Sequence, residues 1–363
     1  MAGLIAHEWI AQHGGSENVA ESMGRAFPDA DVVTLWNDAP ERLRGHKVTE
    51  TWLSKTPLRR NKAAALPFMS STWRNVDTSP YDFVLASSHV FAHHVPVDRE
   101  TPKFVYAHTP ARTIWAPEQD SRGANVVVRA SAPFFRRLDR SRVDDNARYA
   151  ANSNYIKERI ASTWDQDATV IYPPVDVTGI RSAAPTLDGR ERRLLDGLPS
   201  DFVLGASRFV PYKRLDLVIE AGSAAGIPVV LAGGGPLREA LEAKAADSRV
   251  PVVFIDQPSN GLLHELYRRA SVFLFPPVED FGIMPVEAMA AGTPVVTYAV
   301  GGASESVEIV RGGVVSASLD PGELGSALLS AVDTDMRDVP QRVERSFGED
   351  AFITRLRDWM SEK

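Results

Sequence analysis

The sequence has no cysteine, which excludes a disulfide framework and a thiolate metal site. It has no apolar run near the ~18 residues that a membrane-spanning helix needs. It has no excess of positive charge: 40 Lys and Arg stand against 47 Asp and Glu, for a net charge of -7. A broad nucleic-acid-binding surface is therefore not expected. Met1-Ala2-Gly3 leads straight into Leu4 to His7, with no cationic start before a long apolar core. No signal peptide is expected, and the cytoplasm is the expected compartment. What is present is ordinary for a globular protein: 44% hydrophobic and 24% charged residues over 363 positions. That size predicts two domains and excludes a disordered chain, a collagen and a coiled coil.

Short apolar runs alternate with helical patterns. The first strands are expected at 3–6, 31–35, 83–86, 103–106 and 148–151. A second series is expected at 170–172, 202–206, 229–232, 252–255, 272–275 and 295–298. Helices are expected between them, including 16–25, 155–162, 213–222, 236–246, 262–270 and 285–291. The strands are continuous Val/Ile/Leu/Phe runs, the pattern of parallel strands covered on both faces. The alternation predicts a doubly wound α/β fold, and its two passes predict two such domains. The break is Tyr172-Pro173-Pro174, because paired prolines mark a linker. The expected domains are 1–173 and 174–345. A last amphipathic helix over 346–363 carries Phe352, Leu356, Trp359 and Met360 on one face and packs back on the first domain.

The densest signal runs from Glu279-Asp280-Phe281-Gly282-Ile283-Met284 through Pro285-Val286-Glu287 to Gly292-Thr293-Pro294. It reads as a loop after one strand, a helix with Pro285 in its first position and Gly292 as its C-terminal cap, and the next strand. Loops at the carboxyl ends of parallel strands bind ligands. The N–H groups of Ile283 and Met284, at a helix start, suit an anion such as phosphate. Glu279 in the loop and Glu287 in the first helical turn can accept hydrogen bonds from a hydroxyl-rich ligand. Arg208 and Lys213 follow the strand 202–206, and fixed cations there would stabilise charge developing on a leaving phosphate. Gly14-Gly15 sits between the first strand and the first helix, where a backbone can approach a ligand closely. His108 follows the strand 103–106, and Arg112 lies four residues on.

These residues resemble the retaining glycosyltransferases of family 4. The likeness lies in Glu279 to Val296, in Ser207-Arg208-Phe209-Val210-Pro211-Tyr212-Lys213 and in Gly233-Gly234-Gly235. It continues in Gly301-Gly302, with Glu305 after it. Tyr106-Ala107-His108-Thr109-Pro110-Ala111-Arg112 and Ser87-Ser88-His89 resemble a subgroup that often uses GDP-mannose. The resemblance implies the GT-B fold: two Rossmann-like domains facing a deep cleft, the donor on the second and the acceptor on the first. It implies transfer of a hexose, mannose first, from a nucleotide sugar to a hydroxyl acceptor. Glu279, His108, Arg208 and Lys213 would be catalytic. Gly14, Gly15, Arg112, Phe281, Gly282, Ile283, Met284 and Glu287 would bind substrate. No cofactor or obligatory metal is implied. The family commonly has glycine after strand 252–255, where this chain has Asp256-Gln257-Pro258, so a UDP-sugar donor stays open. So do a non-catalytic nucleotide-sugar-binding scaffold and GT-B relatives with other chemistry.

Three further features bear on metal and membrane binding. The Asp-x-Asp pairs at 29–31, 165–167 and 333–335 do not follow apolar strands, as a metal-binding pair would. His89, His93 and His94 have no carboxylate close by in sequence, so His93 and His94 are expected to be surface histidines at a helix start. Arg122 to Arg142 holds six Arg, one acid (Asp139) and Phe134-Phe135. Such a basic amphipathic segment suits an anionic membrane surface at the inner face, or arginines solvated or paired with Asp144 and Asp145.

Overall fold

The structure is a computed structural model and describes residues 2–116, 126–182 and 187–362. The chain forms two compact units, one of Met1–Pro174 with Glu349–Lys363 and one of Val175–Gly348. The first contains a seven-stranded parallel sheet in the order β3-β2-β1-β4-β5-β6-β7. Its strands are β1 Gly3–His7, β2 Asp31–Thr34, β3 Val48–Glu50, β4 Phe83–Ser88, β5 Lys103–Ala107, β6 Arg148–Ala151 and β7 Thr169–Val170. Successive side chains of each strand enter opposite layers, as the pleat requires. Leu4, Ala6, Val84, Ala86, Val105 and Ala107 belong to one apolar cluster. Ile5, Leu85, Phe104 and Tyr106 belong to the other. Both faces are covered, which is why these strands lack hydrophobic alternation. The last helix, Glu349–Ser361, lays Phe352, Leu356 and Trp359 into the second cluster.

The second unit has a six-stranded parallel sheet in the order β10-β9-β8-β11-β12-β13. Its strands are β8 Val203–Arg208, β9 Val229–Gly234, β10 Val252–Asp256, β11 Val272–Phe275, β12 Val295–Tyr298 and β13 Gly313–Ser316. In each unit the strand order turns back on itself once, between β1 and β4 and between β8 and β11. The carboxyl ends of strands at such a reversal are where open α/β sheets bind ligands.

Three strands depart from the expectation. The strand near residue 170 is the edge of the first sheet, not the start of the second. β3 is a three-residue edge strand with Thr49 and Glu50 exposed, so it has no apolar run to betray it. β13 opens on Gly313 at φ 155°, where a Cβ would collide with the Val295 backbone. The glycine serves close strand packing. The helix Lys62–Arg74 also escaped the pattern, because Pro67 lies inside it. Its start is capped by the Asn61 side chain, which accepts from the Ala64 N–H at 3.1 Å.

Candidate functional site

The sequence signals of the second unit converge on the reversal between β8 and β11. Arg208 ends β8 and is exposed, donating to the Tyr212 hydroxyl at 2.8 Å. Lys213 does not open the following helix as expected. It ends a short 3-10 turn, Pro211–Lys213, and the helix proper begins at Leu215. The left-handed Arg214, at φ 51°, separates the two. This break aims the Lys213 ammonium across the reversal to Glu279 Oε1 at 2.5 Å, with each side chain only 13% exposed. The Tyr212 and Phe275 rings lie 5.3 and 5.6 Å from the same nitrogen, a setting that favours the cation.

Glu279 is held by a glycine-built contact with the next loop. The Gly302 N–H donates to the Glu279 carbonyl at 2.8 Å. A Cβ on Gly301, at φ 109°, would meet the Glu279 backbone, and one on Gly302 would meet that of Asp280. The helix after this loop is Ile283–Ala290, with Gly282 (φ 85°) at its N-cap and no side chain capping it. Ile283 and Met284 are therefore its first two residues, and their N–H groups have no intrahelical acceptor. Pro285 is third, not first, and Glu287 stands one turn in. Glu287 accepts from the Tyr267 hydroxyl at 3.2 Å, and burial raises its carboxyl above the ordinary range against that hydrogen bond. Phe281 is buried against Phe347, ring centroids 5.7 Å apart, so its side chain props the loop. Gly292, at φ 94°, follows the helix end and its N–H reaches the Met289 carbonyl at 3.1 Å. Past β10, Gln257 adopts φ 41°, the left-handed conformation that favours glycine. Asp256 before it pairs with Arg238.

The first unit builds a different cluster at its own reversal. His7 ends β1 beside Ser87 of β4, in parallel register. His7 Nδ1 lies 3.0 Å from Ser87 Oγ, and the same hydroxyl lies 2.9 Å from His108 Nε2. The His89 ring centroid is 5.9 Å from that of His7 and 6.0 Å from that of His108. Burial lowers the His7 pKa, opposed by Glu17 and Glu8. Burial, then His89 and His7, lower that of His108, opposed by Glu8. Glu8 is fully buried and takes the main-chain N–H groups of Val90, Phe91 and Ala92 on Oε1 at 2.7 to 2.8 Å. Its Oε2 accepts from the His89 N–H at 3.2 Å. It thereby fixes the turn after β4. Glu8 was not singled out by sequence reasoning, since its partners lie some eighty residues away.

Gly14 precedes the helix Gly15–Ala26, and the buried Glu17 carboxylate lies where a Gly14 side chain would stand. That carboxylate accepts from the Ser16 hydroxyl at 2.7 Å and from the Ala11 N–H at 3.3 Å. Arg112 opens the short helix Arg112–Trp115 and is half-buried. His93 and His94 correct the expectation of surface histidines: both are buried at 1% exposure. Asp139, forty-odd positions on, completes the missing carboxylate. Its Oδ1 is 3.0 Å from Nε2 of each histidine. Its Oδ2 accepts from the indole N–H of Trp115 at 2.7 Å and of Trp164 at 2.8 Å. The other ring nitrogens lie 2.9 Å from the Ser88 and Ser70 hydroxyls. Among the described residues this is the one group able to hold a metal ion, yet its carboxylate is already met by ring N–H groups.

Asp139 lies on the helix Val126–Arg140, so the hub fastens this basic helix to the sheet. Arg122 lies outside the described residues. Arg136 and Arg140 donate to the main-chain carbonyls of Ile114 and Thr163 and do not pair with Asp144 or Asp145. Phe134 is 66% exposed and Phe135 is buried. Among the described residues no helix is long and apolar enough to cross a membrane.

The comparisons agree with this architecture. Residues 195–345 match the family model described as glycosyl transferases group 1. Residues 13–178 match the model described as glycosyltransferase family 4. A D-inositol 3-phosphate glycosyltransferase of Thermomonospora curvata is 31% identical over 260 residues, 62% of this chain and 59% of the relative. One from Catenulispora acidiphila is 29% identical over 231 residues, 58% of this chain and 52% of the relative. The chain thus spans about half the length of the curated relatives it matches. Among solved structures, Anabaena Alr3699/HepE in complex with UDP superposes with a TM-score of 0.73 at 18% identity, covering 99% of this chain and 100% of that one. Sucrose-phosphate synthase from Thermosynechococcus elongatus gives 0.71 at 17% identity, covering 99% and 98%. A glycosyltransferase model thus matches each of the two parallel-sheet units, and the chain has the GT-B fold across its length.

Proposed function

We propose that the protein is a retaining hexosyltransferase using a nucleotide sugar. The observation that carries this reading is the Lys213–Glu279 contact across the β8/β11 reversal, beside a helix start with no side-chain cap. A diphosphate there would meet the Lys213 ammonium, the Arg208 guanidinium and the N–H groups of Ile283 and Met284. Glu279 would hold sugar hydroxyls and Glu287 the ribose. The second unit would carry the donor, and the first would contribute His108 and Arg112 on the acceptor side. The bond from the sugar's anomeric carbon to the phosphate oxygen breaks as the bond to the acceptor oxygen forms on the same face. The acceptor's proton passes to the leaving phosphate. The cations stabilise the charge that develops on that phosphate, a task this reading assigns to side chains and to no obligatory metal.

GDP-mannose is the donor suggested by the subgroup resemblance. The neighbour bound to UDP, and its complex with UDP-glucose, support a UDP-sugar as the competing choice. The relatives named for inositol 3-phosphate support a phosphorylated hydroxyl acceptor. The test is to incubate the chain with GDP-mannose and UDP-glucose, with and without inositol 3-phosphate, and to determine the anomeric configuration of any product by NMR. A product with the donor's configuration supports the reading; an inverted product, or no consumption of either sugar nucleotide, contradicts it. The exposed Phe134 among arginines supports a peripheral contact with anionic lipid. Co-sedimentation with anionic vesicles at low salt is the expected result, and no binding would end that part of the proposal.

A further inference from the structure

The His7–Ser87–His108 chain contains one hydroxyl between two imidazoles. Ser87 has a single O–H, so it donates to one ring nitrogen and accepts an N–H from the other. Two proton arrangements satisfy both contacts. In one, His7 Nδ1–H donates to Ser87, whose hydroxyl donates to a bare His108 Nε2. In the other, every donor is reversed. The far side of His7 distinguishes them. Among the described residues, buried His7 Nε2 has no hydrogen-bond partner. Its acidic neighbour Glu8 is already committed to the main-chain N–H groups of residues 89–92. The reversed arrangement would leave a His7 Nε2–H buried without an acceptor. The first leaves only a bare lone pair there, and an orphaned buried N–H is the rarer and costlier defect. A doubly protonated His7 would bury the same orphan together with a charge.

From this juxtaposition we infer that His7 is a positioning residue. Acting through Ser87, it holds His108 as the Nδ1–H tautomer. His108 is half-buried, and its Nδ1 has no hydrogen-bond partner among the described residues. That nitrogen is then a fixed hydrogen-bond donor. It suits a hydroxyl oxygen of the acceptor, and it cannot serve as a base. The role toward the acceptor rests on the glycosyltransfer reading above; the tautomer does not.

The test uses the full chain with 15N-labelled histidine and long-range 1H–15N correlation spectra near neutral pH. His108 should show a protonated Nδ1 and a bare Nε2. Ser87→Ala should shift it toward the Nε2–H form, and His7→Phe should do the same. His7→Asn, whose amide N–H can stand where Nδ1–H stands, should keep the wild-type signature. With a donor that the chain uses, kcat should fall about tenfold in Ser87→Ala with little change in donor KM, and His7→Asn should recover most of it. A wild-type His108 protonated on Nε2, or a signature unmoved by Ser87→Ala, overturns the inference. The spectra need no substrate, so a protein that transfers nothing would defeat the functional reading while leaving this result intact.

Discussion

The two units share a strand order and a single reversal, yet they place opposite chemistry there. At the β8/β11 reversal an ammonium and a carboxylate meet at 2.5 Å beside a helix start with no side-chain cap. At the β1/β4 reversal stands a chain of imidazole, hydroxyl and imidazole whose histidines are held below their ordinary pKa. One fold thus places an ion pair at one reversal and a chain of neutral hydrogen bonds at the other. The backbone supplies the crevice, and side chains at the strand ends decide its use.

The comparison can be broken in several ways. The largest effect is expected in the first unit. Asp139→Ala removes the acceptor shared by Trp115, Trp164 and His94 and leaves several buried N–H groups unmet. It should cost roughly 4 kcal/mol of that unit's stability, read by denaturant unfolding, while the second unit's transition stays in place. An unchanged first transition would show that the hub contributes little. In the second unit, Lys213→Ala should lower transfer on the order of a hundredfold or more with the circular dichroism spectrum unaltered. Unchanged turnover would remove Lys213 from the site.

The buried hub also has a pH signature. Burial, with His93 beside it, holds His94 at about 4 against an ordinary 6.5. Folded His94 stays neutral while the unfolded chain takes up a proton near 6.5. Its share of stability is therefore complete above that pH and lost as pH falls toward 4, about 3 kcal/mol in all. Unfolding midpoints that drop over this window in the wild type, and drop less in His94→Gln, are the expected result. The smallest effect sharpens the contrast between the two reversals. Glu279→Gln releases Lys213 from its partner, so nucleoside diphosphate binding should tighten a few-fold even as transfer falls. Weaker binding would mean that Glu279 helps to hold the diphosphate.

Much of this contrast was legible in the sequence, and the reason is local. Continuous apolar runs such as Val272–Phe275 marked parallel strands, and Glu279 to Gly292 spelled out loop, helix and turn in consecutive residues. The glycines that mattered, Gly282 and Gly301, were legible for the same reason. The Asp139 hub, the Glu8 clasp and the His7–Ser87 contact were not. Each joins residues that only the sheet brings together, and a lone carboxylate or histidine looks the same in sequence whether buried or solvated. The left-handed Arg214 that turns Lys213 toward Glu279 was hidden as well, because nothing in Arg214 itself announces a positive φ.

The most direct test of the whole account is calorimetric titration of the full chain and of Lys213→Ala with UDP and with GDP. The account predicts measurable binding of at least one of them to the wild type, and affinity at least tenfold weaker in the variant. No heat with either nucleotide, or equal affinity in both proteins, would contradict it.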